Sequence, residues 1–284
     1  GDYTISEDEE GFIARDRHDV HPVVDGAVVN WESFEQLAAH VFKVADVQPE
    51  APVLMSEPML NTRKCREKMA ELMFETFEVP AFCLFPAGAL ALYSGGRNTG
   101  LSLDMGEHSA TASVILNDIH PPCCVQKTDF GGYDTTALLL QRLKDDYGYG
   151  EDVLGSSLAR ELETTRNMKQ RLLSALATHD AKWKYYLLDE QHHTLPDGRT
   201  IDVTKSTLHC AHLPFEPSTL GRRDDRTPRS IVDIVVDSVS AYPCEESVYS
   251  EEGADPDPLT WPPELFGNVV VSGGNSFFPL IGDR

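Results

Sequence analysis

Apolar and polar residues recur with two periods along the chain, and these periods predict a mixture of helices and strands. An apolar residue at every third or fourth position indicates a helix, whereas strict alternation or a short apolar run indicates a strand. The predicted helices cover residues 30–42, 61–77, 86–96, 134–143, 158–176 and 230–239. The predicted strands cover residues 52–56, 81–85, 101–104, 109–116 and 268–271, with a further strand after the Asp-Gly turn in 195–203. This mixture predicts the α/β class.

Three of the predicted helices carry a distinct apolar face. Asn30 is suited to cap the first of them, because its side chain accepts hydrogen bonds from the first turn. The predicted buried faces are Trp31, Phe34, Leu37, Ala38, Val41 and Phe42 in the first helix, Cys65, Met69, Leu72, Met73 and Phe77 in the second, and Leu158, Leu162, Met168, Leu172 and Leu173 in 158–176.

Tight glycine turns at the ends of strands are the main candidates for chemistry. They are Asp104-Met105-Gly106, Gly131-Gly132 and Ser272-Gly273-Gly274. Glycine lets backbone N–H groups approach a phosphate, and a neighbouring carboxylate can hold a hydrated Mg²⁺. The residues alone therefore predict either a metal-and-phosphate hairpin at Asp104 and Gly106 or an ordinary hairpin with a solvated aspartate.

Composition and charge narrow the classes of partner. The chain has 284 residues, of which 41% are hydrophobic and 25% charged, and its formal net charge is −22. These values are typical of a globular protein, and the excess of acid argues against a nucleic-acid or anionic-membrane surface. A basic protein partner suits the charge better. The acidic segment 237–258, without Lys or Arg, predicts an exposed loop, at least in its second half.

The six cysteines predict a reducing compartment. None forms a C-x-x-C pair, and the first residues, GDYTISEDEEGF, do not have the pattern of a secretory signal. The cluster His209, Cys210 and His212 is the alternative metal site, but it lacks the usual spacing of zinc ligands. No apolar run approaches the ~20 residues that span a bilayer.

Separate motifs resemble the actin family in their order and spacing. They are PVLMSEPMLNTRKCREKMAELMFETFEVPAF, LYSGGRNTGLSLDMG, LPDGRTIDV, FEPSTLG and NVVVSGGNSFFPLIGDR. Within the family, VNWESF, VLMSEPMLNTRKCREKMAELMFE and the GGN of the last motif are most similar to the fourth, nuclear subfamily of actin-related proteins. The resemblance implies an actin-like ATPase fold, in which two ribonuclease H-like lobes enclose a nucleotide cleft.

The resemblance also implies a division of the chain. Residues 1–94 would form part of the small lobe and residues 95–284 the large lobe. Within the large lobe, 95–130 and 223–284 would form the inner part and 131–222 the outer part. Because the similarity begins inside the small lobe and stops inside a helix, we expect a fold that is incomplete at both ends.

The cofactor that the resemblance implies is ATP with Mg²⁺. Asp104 and Gly106 match the second phosphate-binding hairpin, with Asp104 as the metal ligand. The other implied cofactor-binding residues are Gly132 near the nucleotide, Arg166, Lys169 and Gln170 at the ribose and adenine, and Gly273, Gly274 and Phe278 in the last nucleotide-contacting turn. Without the resemblance, Arg166 and Lys169 indicate a solvated helix face, and Phe277 and Phe278 fit core packing equally well.

Several departures from the family pattern predict that hydrolysis is weakened or lost. Ala87 takes the place of the glutamine that orients the attacking water, and an aliphatic side chain cannot do this. Thr111 takes the place of a histidine on the next strand, and Glu107 and His108 follow the hairpin where the family has an aspartate and a glycine. The family's first phosphate hairpin has no match before residue 100.

The resemblance therefore implies a non-catalytic structural subunit of nuclear chromatin-remodelling and histone-acetyltransferase complexes. Its expected partners are other subunits of these complexes, a helical segment of a remodeller ATPase, actin and basic proteins such as histones. The alternative is a divergent cytoplasmic actin-like cytoskeletal protein that binds ATP. A sugar kinase of the same fold is a third reading, but the sequence offers no second set of carboxylates for it.

Overall fold

The protein is described by a computed structural model that covers residues 22–147, 158–176, 192–194, 198, 200–220, 228–242, 265 and 267–277. Helices and strands are mixed along these ranges, so the predicted α/β class is confirmed. The predicted division into lobes stays a prediction.

The N-terminal part, residues 22–94, combines short strands with three helices. Its elements are β1 (Val23–Val24), β2 (Ala27–Val28), α1 (Trp31–Val44), β3 (Val53–Glu57), α2 (Arg63–Glu71), β4 (Phe82–Pro86) and α3 (Ala87–Ser94). β1 and β2 form a hairpin around Asp25 and Gly26, which both have positive φ angles. β3 and β4 pair in parallel. The segment 23–29, which the sequence leaves open between strand and loop, is thus a short hairpin.

The helix α1 begins as predicted but buries a narrower face. Asn30 caps it by accepting a hydrogen bond from Ser33 N at 3.0 Å. Phe34 and Ala38 are buried, whereas Leu37 is 46% and Val41 50% exposed. The prediction that these last two residues belong to the buried face is wrong. The core covers only one side of the helix, and the sequence pattern does not set how wide this buried side is.

The second helix and the parallel strands complete this core. Thr62 caps α2, which passes into a turn of π-helix at Leu72–Thr76. Met69, Leu72 and Met73 are buried in one cluster with residues of α1, and Phe77 packs against it, which confirms these four residues of the predicted face. The strand β3 is only half buried, however, because Leu54 points outward with 59% of its surface exposed. The strand predicted at 52–56 is thus present at Val53–Glu57, but it is not buried along its whole length.

A four-stranded sheet forms the centre of the second part. Its strands are β5 (Gly100–Met105), β6 (Ala110–Ile115), β7 (Val125–Lys127) and β10 (Val269–Ser272), in the order β10-β5-β6-β7. β10 is parallel to β5, and the other neighbours are antiparallel. After β6 the chain turns at Asn117-Asp118, where both residues have positive φ.

Helices cover both faces of this sheet. α3 packs on one face with Ala89 and Leu92, and α7 (Ile231–Ser240) packs on the other with Ile231 and Ile234. A capping box between Ser230 and Asp233 begins α7. Because both faces are covered, β5 and β6 are almost entirely buried, and their alternation does not distinguish a core side from a solvent side.

A third cluster forms beyond the sheet. It contains α4 (Gly132–Tyr147), α5 (Leu158–Leu176), β8 (His192–Thr194), β9 (Thr200–Asp202) and α6 (Thr204–His212). Leu139, Leu140, Leu143 and Met168 are its buried centre, with Leu158 and Leu162 against it. The predicted face of α5 is confirmed for Leu158, Leu162 and Met168, while the side chains of Leu172 and Leu173 lie outside the described residues.

Two predicted boundaries need correction. The helix predicted over 134–143 begins at Gly132 and ends at Tyr147. Gly132 already belongs to the helix, so the glycine turn and the helix start overlap, and its carbonyl also accepts a hydrogen bond from Thr136 Oγ1. Residues 237–240 belong to α7 and not to an acidic loop, and 243–258 lie outside the described residues. None of the helices described is long and apolar enough to cross a membrane.

The buried side chain of Met73 offers a test of the N-terminal core. Met73 is fully buried, so Met73→Ala should lower the free energy of unfolding by about 2–5 kcal/mol through lost burial and a cavity. Urea denaturation would measure this. The control is Val44→Ala on α1, where the valine is 71% exposed and the change should stay within about 0.5 kcal/mol. Equal effects of the two substitutions would contradict the packing described.

Candidate functional site

Strand register places a row of polar side chains across the central sheet. Ser272 pairs with Asp104, Asp104 with Thr111, and Thr111 with Lys127. Paired residues in neighbouring strands project from the same face. Asp104 therefore lies within a polar row that ends in a lysine, and it accepts a hydrogen bond from Ser272 Oγ at 3.2 Å.

Three turns that are distant in sequence meet at the β5–β6 hairpin. The carbonyl oxygen of Gly106 accepts hydrogen bonds from Gly132 N at 3.1 Å and from Asn275 Nδ2 at 2.8 Å. The carbonyl oxygen of Glu107 accepts another from Tyr133 N at 2.8 Å. The hairpin thus joins the start of α4 to the turn after β10.

Two of the glycines at this junction cannot carry a side chain without movement of their neighbours. Gly273 has φ +86° and its missing Cβ would collide with the carbonyl of Met105 and lie 2.7 Å from Asp104 Oδ1. At Gly132, a Cβ would lie 2.6 Å from Asn275 Nδ2 and 2.8 Å from Glu107 Oε2. The backbones of the three turns therefore approach closely because these positions are glycine.

Two cations of α5 reach this junction and bind groups of the chain itself. Arg166 Nη2 lies 2.6 Å from Glu107 Oε1, and both side chains are partly exposed. Lys169 Nζ donates to the carbonyl oxygen of Gly132 at 2.6 Å and is 5% exposed. Burial lowers the pKa of Lys169 to about 8, although Glu107 acts in the opposite direction and raises it. Lys169 is thus buried and does not lie on a solvated helix face, whereas Arg166 stays partly exposed.

A cavity of about 340 Å³ opens on the other side of the hairpin. It lies between the β1–β2 turn, the residues after β3, the start of α3 and the β5–β6 hairpin. Ala87, Asp104, Gly106, Glu107, His108, Thr111 and Lys127 are among the residues that line it. Asp25 spans its mouth, because its carboxylate accepts from Ser109 Oγ at 2.7 Å and forms an ion pair with Lys127.

The structure brings most of the sequence-predicted site residues together around the hairpin. Asp104 and Gly106 line the cavity, while Gly132, Arg166, Lys169, Gly273 and Gly274 lie at the junction of the turns and do not line it. Gln170 is on the exposed side of α5, and Phe278 lies outside the described residues. Phe277 is 77% exposed, so its alternative role in core packing is wrong.

Sequence reasoning missed several contributors. Asn275 is known from the sequence only as part of a subfamily motif, yet it closes the junction of the turns. Asp25 and Lys127 were not singled out, and nothing in their local pattern indicates that they pair across about a hundred residues. Ser102 and Ser113 are directly opposed in the row below Asp104, and their buried hydroxyls have no hydrogen-bond partner among the described residues.

The described cysteines and histidines do not form a metal site. Among the residues that the structure covers, no group of three or more His, Cys, Asp or Glu side chains could hold a metal ion. Cys210 is buried and burial raises its pKa to about 12, so it stays a neutral thiol in the core. Cys65, Cys83, Cys123, Cys124 and Cys210 are free thiols, and Cys244 lies outside the described residues.

The geometry defines an α/β protein whose glycine turns converge on a carboxylate-bearing hairpin beside a cleft. A sequence model of the actin family matches residues 3–284, which is nearly the whole chain. The chain therefore belongs to the actin family and has the actin-like ATPase fold. Members of this family typically bind ATP with a divalent cation.

The described residues fit such a ligand only in part. The glycines at 132 and 273 and the carboxylate of Asp104 are the kinds of groups that a phosphate chain and its cation require. On the α5 side, however, Glu107 and Asn275 fill the space over Gly132, and Arg166 and Lys169 already bind the chain's own oxygens. The α5 side therefore does not fit an anionic ligand in this conformation.

Gly273 provides a test of the close approach between the turns. Gly273→Ala should lower the free energy of unfolding by roughly 1–3 kcal/mol, because alanine is strained at φ +86° and its Cβ collides with Met105. Gly274→Ala is the matched control, since a Cβ there would meet nothing within 4 Å. Urea denaturation of both variants would show the difference, and equal stability of the two would contradict the geometry.

The buried Lys169 predicts a characteristic pH dependence of stability. Its pKa is about 8 in the folded protein and 10.5 without the fold, so the unfolded chain binds more protons between these values. The charged lysine thus costs stability at neutral pH, and this cost falls as the pH rises from about 8 towards 10.5.

Lys169→Met removes this titration and is the variant to compare. The difference in unfolding free energy, wild type minus variant, should rise with pH by at most about 1.4 kcal/mol per unit over this range. Chemical denaturation between pH 7 and 10 would measure it, and the subtraction cancels groups that do not interact with Lys169. A difference that is flat or falls with pH would refute the assignment.

Proposed function

We propose that this actin-family chain is a non-catalytic structural subunit of nuclear chromatin-remodelling and histone-acetyltransferase complexes. The observation that carries the proposal is the composition of the cleft wall beside Asp104. Ala87 and Thr111 both line the cavity, at the positions where the resemblance implies a water-orienting glutamine and a histidine. In-line attack on a phosphate needs a positioned water, and a methyl group cannot hold one.

The contacts of the cleft support a structural role further. Asp25 bridges the β1–β2 turn to Ser109 and Lys127. On the other side of the hairpin, the Arg166–Glu107 ion pair joins α5 to the sheet. These contacts between the chain's own side chains join separate elements around the hairpin, which suits a subunit that keeps its shape without turnover.

Charge and surface composition support protein partners. The net charge of −22 favours basic partners, such as histones, over nucleic acid. On α1, Leu37, Val41 and Val44 form an exposed apolar stripe, with 46%, 50% and 71% of their surfaces accessible. Such a stripe is suited to contact another protein. In this proposal the partners are subunits of the complexes, a helical segment of a remodeller ATPase and actin, and the location is the nucleus.

Hydrolysis is the first property to measure. Purified protein with Mg²⁺ and ATP should release phosphate no faster than a blank without protein, because Ala87 and Thr111 stand where the resemblance implies the water-orienting glutamine and the histidine. Conventional actin, assayed in parallel, is the positive control. Release at a rate comparable to that of conventional actin would overturn the non-catalytic part of the proposal.

Affinity purification separates the proposal from its alternative. A tagged chain expressed in nuclei should recover chromatin-remodelling and histone-acetyltransferase subunits, whereas recovery of cytoskeletal proteins alone would contradict this. The alternative, a divergent cytoplasmic actin-like protein that binds ATP, predicts ATP-dependent sedimentation of the protein as filaments. The exposed stripe on α1 is the observation that keeps this alternative open, because it could equally contact another copy of the chain.

A further inference from the structure

We propose that Cys123 and Cys124 form a dithiol site for a monosubstituted trivalent arsenical, in which one arsenic atom bridges both sulfurs. The two residues are adjacent in the sequence, and neither lines the cavity beside Asp104. This inference goes beyond the proposed function and does not depend on it.

The two sulfurs lie close together but differ in exposure. The Sγ atom of Cys123 lies 3.8 Å from the Sγ atom of Cys124. Cys123 is exposed, whereas Cys124 is fully buried in a core cluster with Leu101, Val114 and Val239. An arsenical can therefore bind first at Cys123, and the sulfur of Cys124 is then within reach of the same arsenic atom.

Hydrogen bonds hold the turn that carries the doublet in place. It is a single turn of 3₁₀ helix, Pro122–Cys124, before β7, and Cys124 N donates to the carbonyl oxygen of Pro121 at 3.0 Å. From α7, Ser238 Oγ donates to the carbonyl oxygen of Cys124. The two consecutive prolines restrict φ just before the doublet. Because the backbone of both thiols is already ordered, binding costs less conformational entropy.

A bridging atom suits this doublet better than a disulfide does. Adjacent Cα atoms across a trans peptide are about 3.8 Å apart, whereas the Cα atoms of a disulfide are usually roughly 4.4–6.8 Å apart. A direct S–S bond between Cys123 and Cys124 would therefore be strained. An arsenic atom inserted between the sulfurs lengthens the link and relieves this strain.

The number of available ligands indicates which thiophilic species fits. Thiolates favour soft ions, but a structural zinc ion takes four protein ligands. Among the residues that the structure describes, no group of three or more His, Cys, Asp or Glu side chains could hold a metal ion. A monosubstituted arsenical needs only two thiols, because the third bond of its arsenic is to its own carbon. The doublet thus matches this class of ligand in number.

Binding is a condensation that changes no oxidation state. With phenylarsine oxide, each thiol gives up its proton, the two protons leave with the arsenic-bound oxygen as one water, and two As–S bonds form. Arsenic stays trivalent and neither sulfur is oxidised. The second As–S bond forms within the molecule at a high effective concentration, so a doublet retains the arsenical far better than a single thiol does.

Phenylarsine oxide is the probe, added in equimolar amount to the folded full chain after reduction and removal of the reductant. Intact-mass spectrometry should show the mass of one phenylarsenic group less two hydrogens, and thiol titration should show the loss of two thiols. Excess glutathione, a monothiol, should leave the adduct in place, whereas 1,2-ethanedithiol should remove it, because only a dithiol offers the same chelation. Failure of the folded protein to form the adduct would overturn the proposal.

Cysteine variants locate the arsenic. Cys123→Ser should abolish the stable adduct and keep the fold, because this side chain is exposed. Cys124→Ala should act in the same way, with thermal unfolding as a check because Cys124 is in the core, and Cys123→Ser decides if this variant does not fold. The matched control is Cys83→Ser, an exposed cysteine of β4, which should bind like the wild type. Persistence of the adduct in Cys123→Ser, or its loss in Cys83→Ser or Cys244→Ser, would assign the arsenic to other thiols and refute the site.

A titration with Zn²⁺ tests the number of ligands. The wild type and Cys123→Ser should bind Zn²⁺ equally, because two thiols do not complete a zinc shell. Tighter zinc binding by the wild type than by this variant would show that further ligands join the doublet, which contradicts a two-thiol site. None of these measurements involves ATP or a partner protein, so they succeed or fail independently of the proposed function.

Discussion

The carbonyl oxygen of Gly106 is the contact on which the arrangement of the cleft depends. It accepts one hydrogen bond from the backbone of Gly132 and another from the side chain of Asn275, so both of its lone pairs are used. These two bonds bring the start of α4 and the turn after β10 to the same hairpin. The approach is close enough that Gly132 and Gly273 have no room for a Cβ. Each of the three turns is short, but together they define the position of Asp104.

The two sides of this hairpin differ in their chemistry. On one side a cavity of about 340 Å³ opens between Ala87, Asp104 and Thr111. Towards α5, Glu107 binds Arg166, and Lys169 binds the backbone carbonyl of Gly132. Members of the family typically bind ATP, yet in this chain the space between the hairpin and α5 is filled by the chain's own side chains. This contrast links the fold to the proposed structural role, because links made within the chain do not depend on a ligand.

Much of this fold could be predicted from sequence pattern. The helical period located α1, α2, α5 and α7, and the glycine turns marked the ends of the strands that converge on the cleft. Where the prediction was wrong, tertiary contacts were the reason. Leu37 and Val41 follow the helical period of α1 but lie outside its buried face, since the neighbouring elements bury Phe34 and Ala38 and leave these two residues exposed. The full burial of β5 and β6 likewise came from helices on both faces, which the alternation in the strands does not show.

The sequence by itself determined the α/β class, the glycine turns, the carboxylate at position 104 and the absence of a water-orienting amide at position 87. These are local properties, since a turn, a helix period or a side-chain type is set by neighbouring residues. Only the tertiary structure decided that Glu107 binds Arg166, that Asn275 binds Gly106 and that Asp25 binds Lys127. Each of these pairs joins residues far apart in the chain. Strand register and helix packing bring the two residues within hydrogen-bond distance, and a local sequence pattern shows neither the register nor the packing.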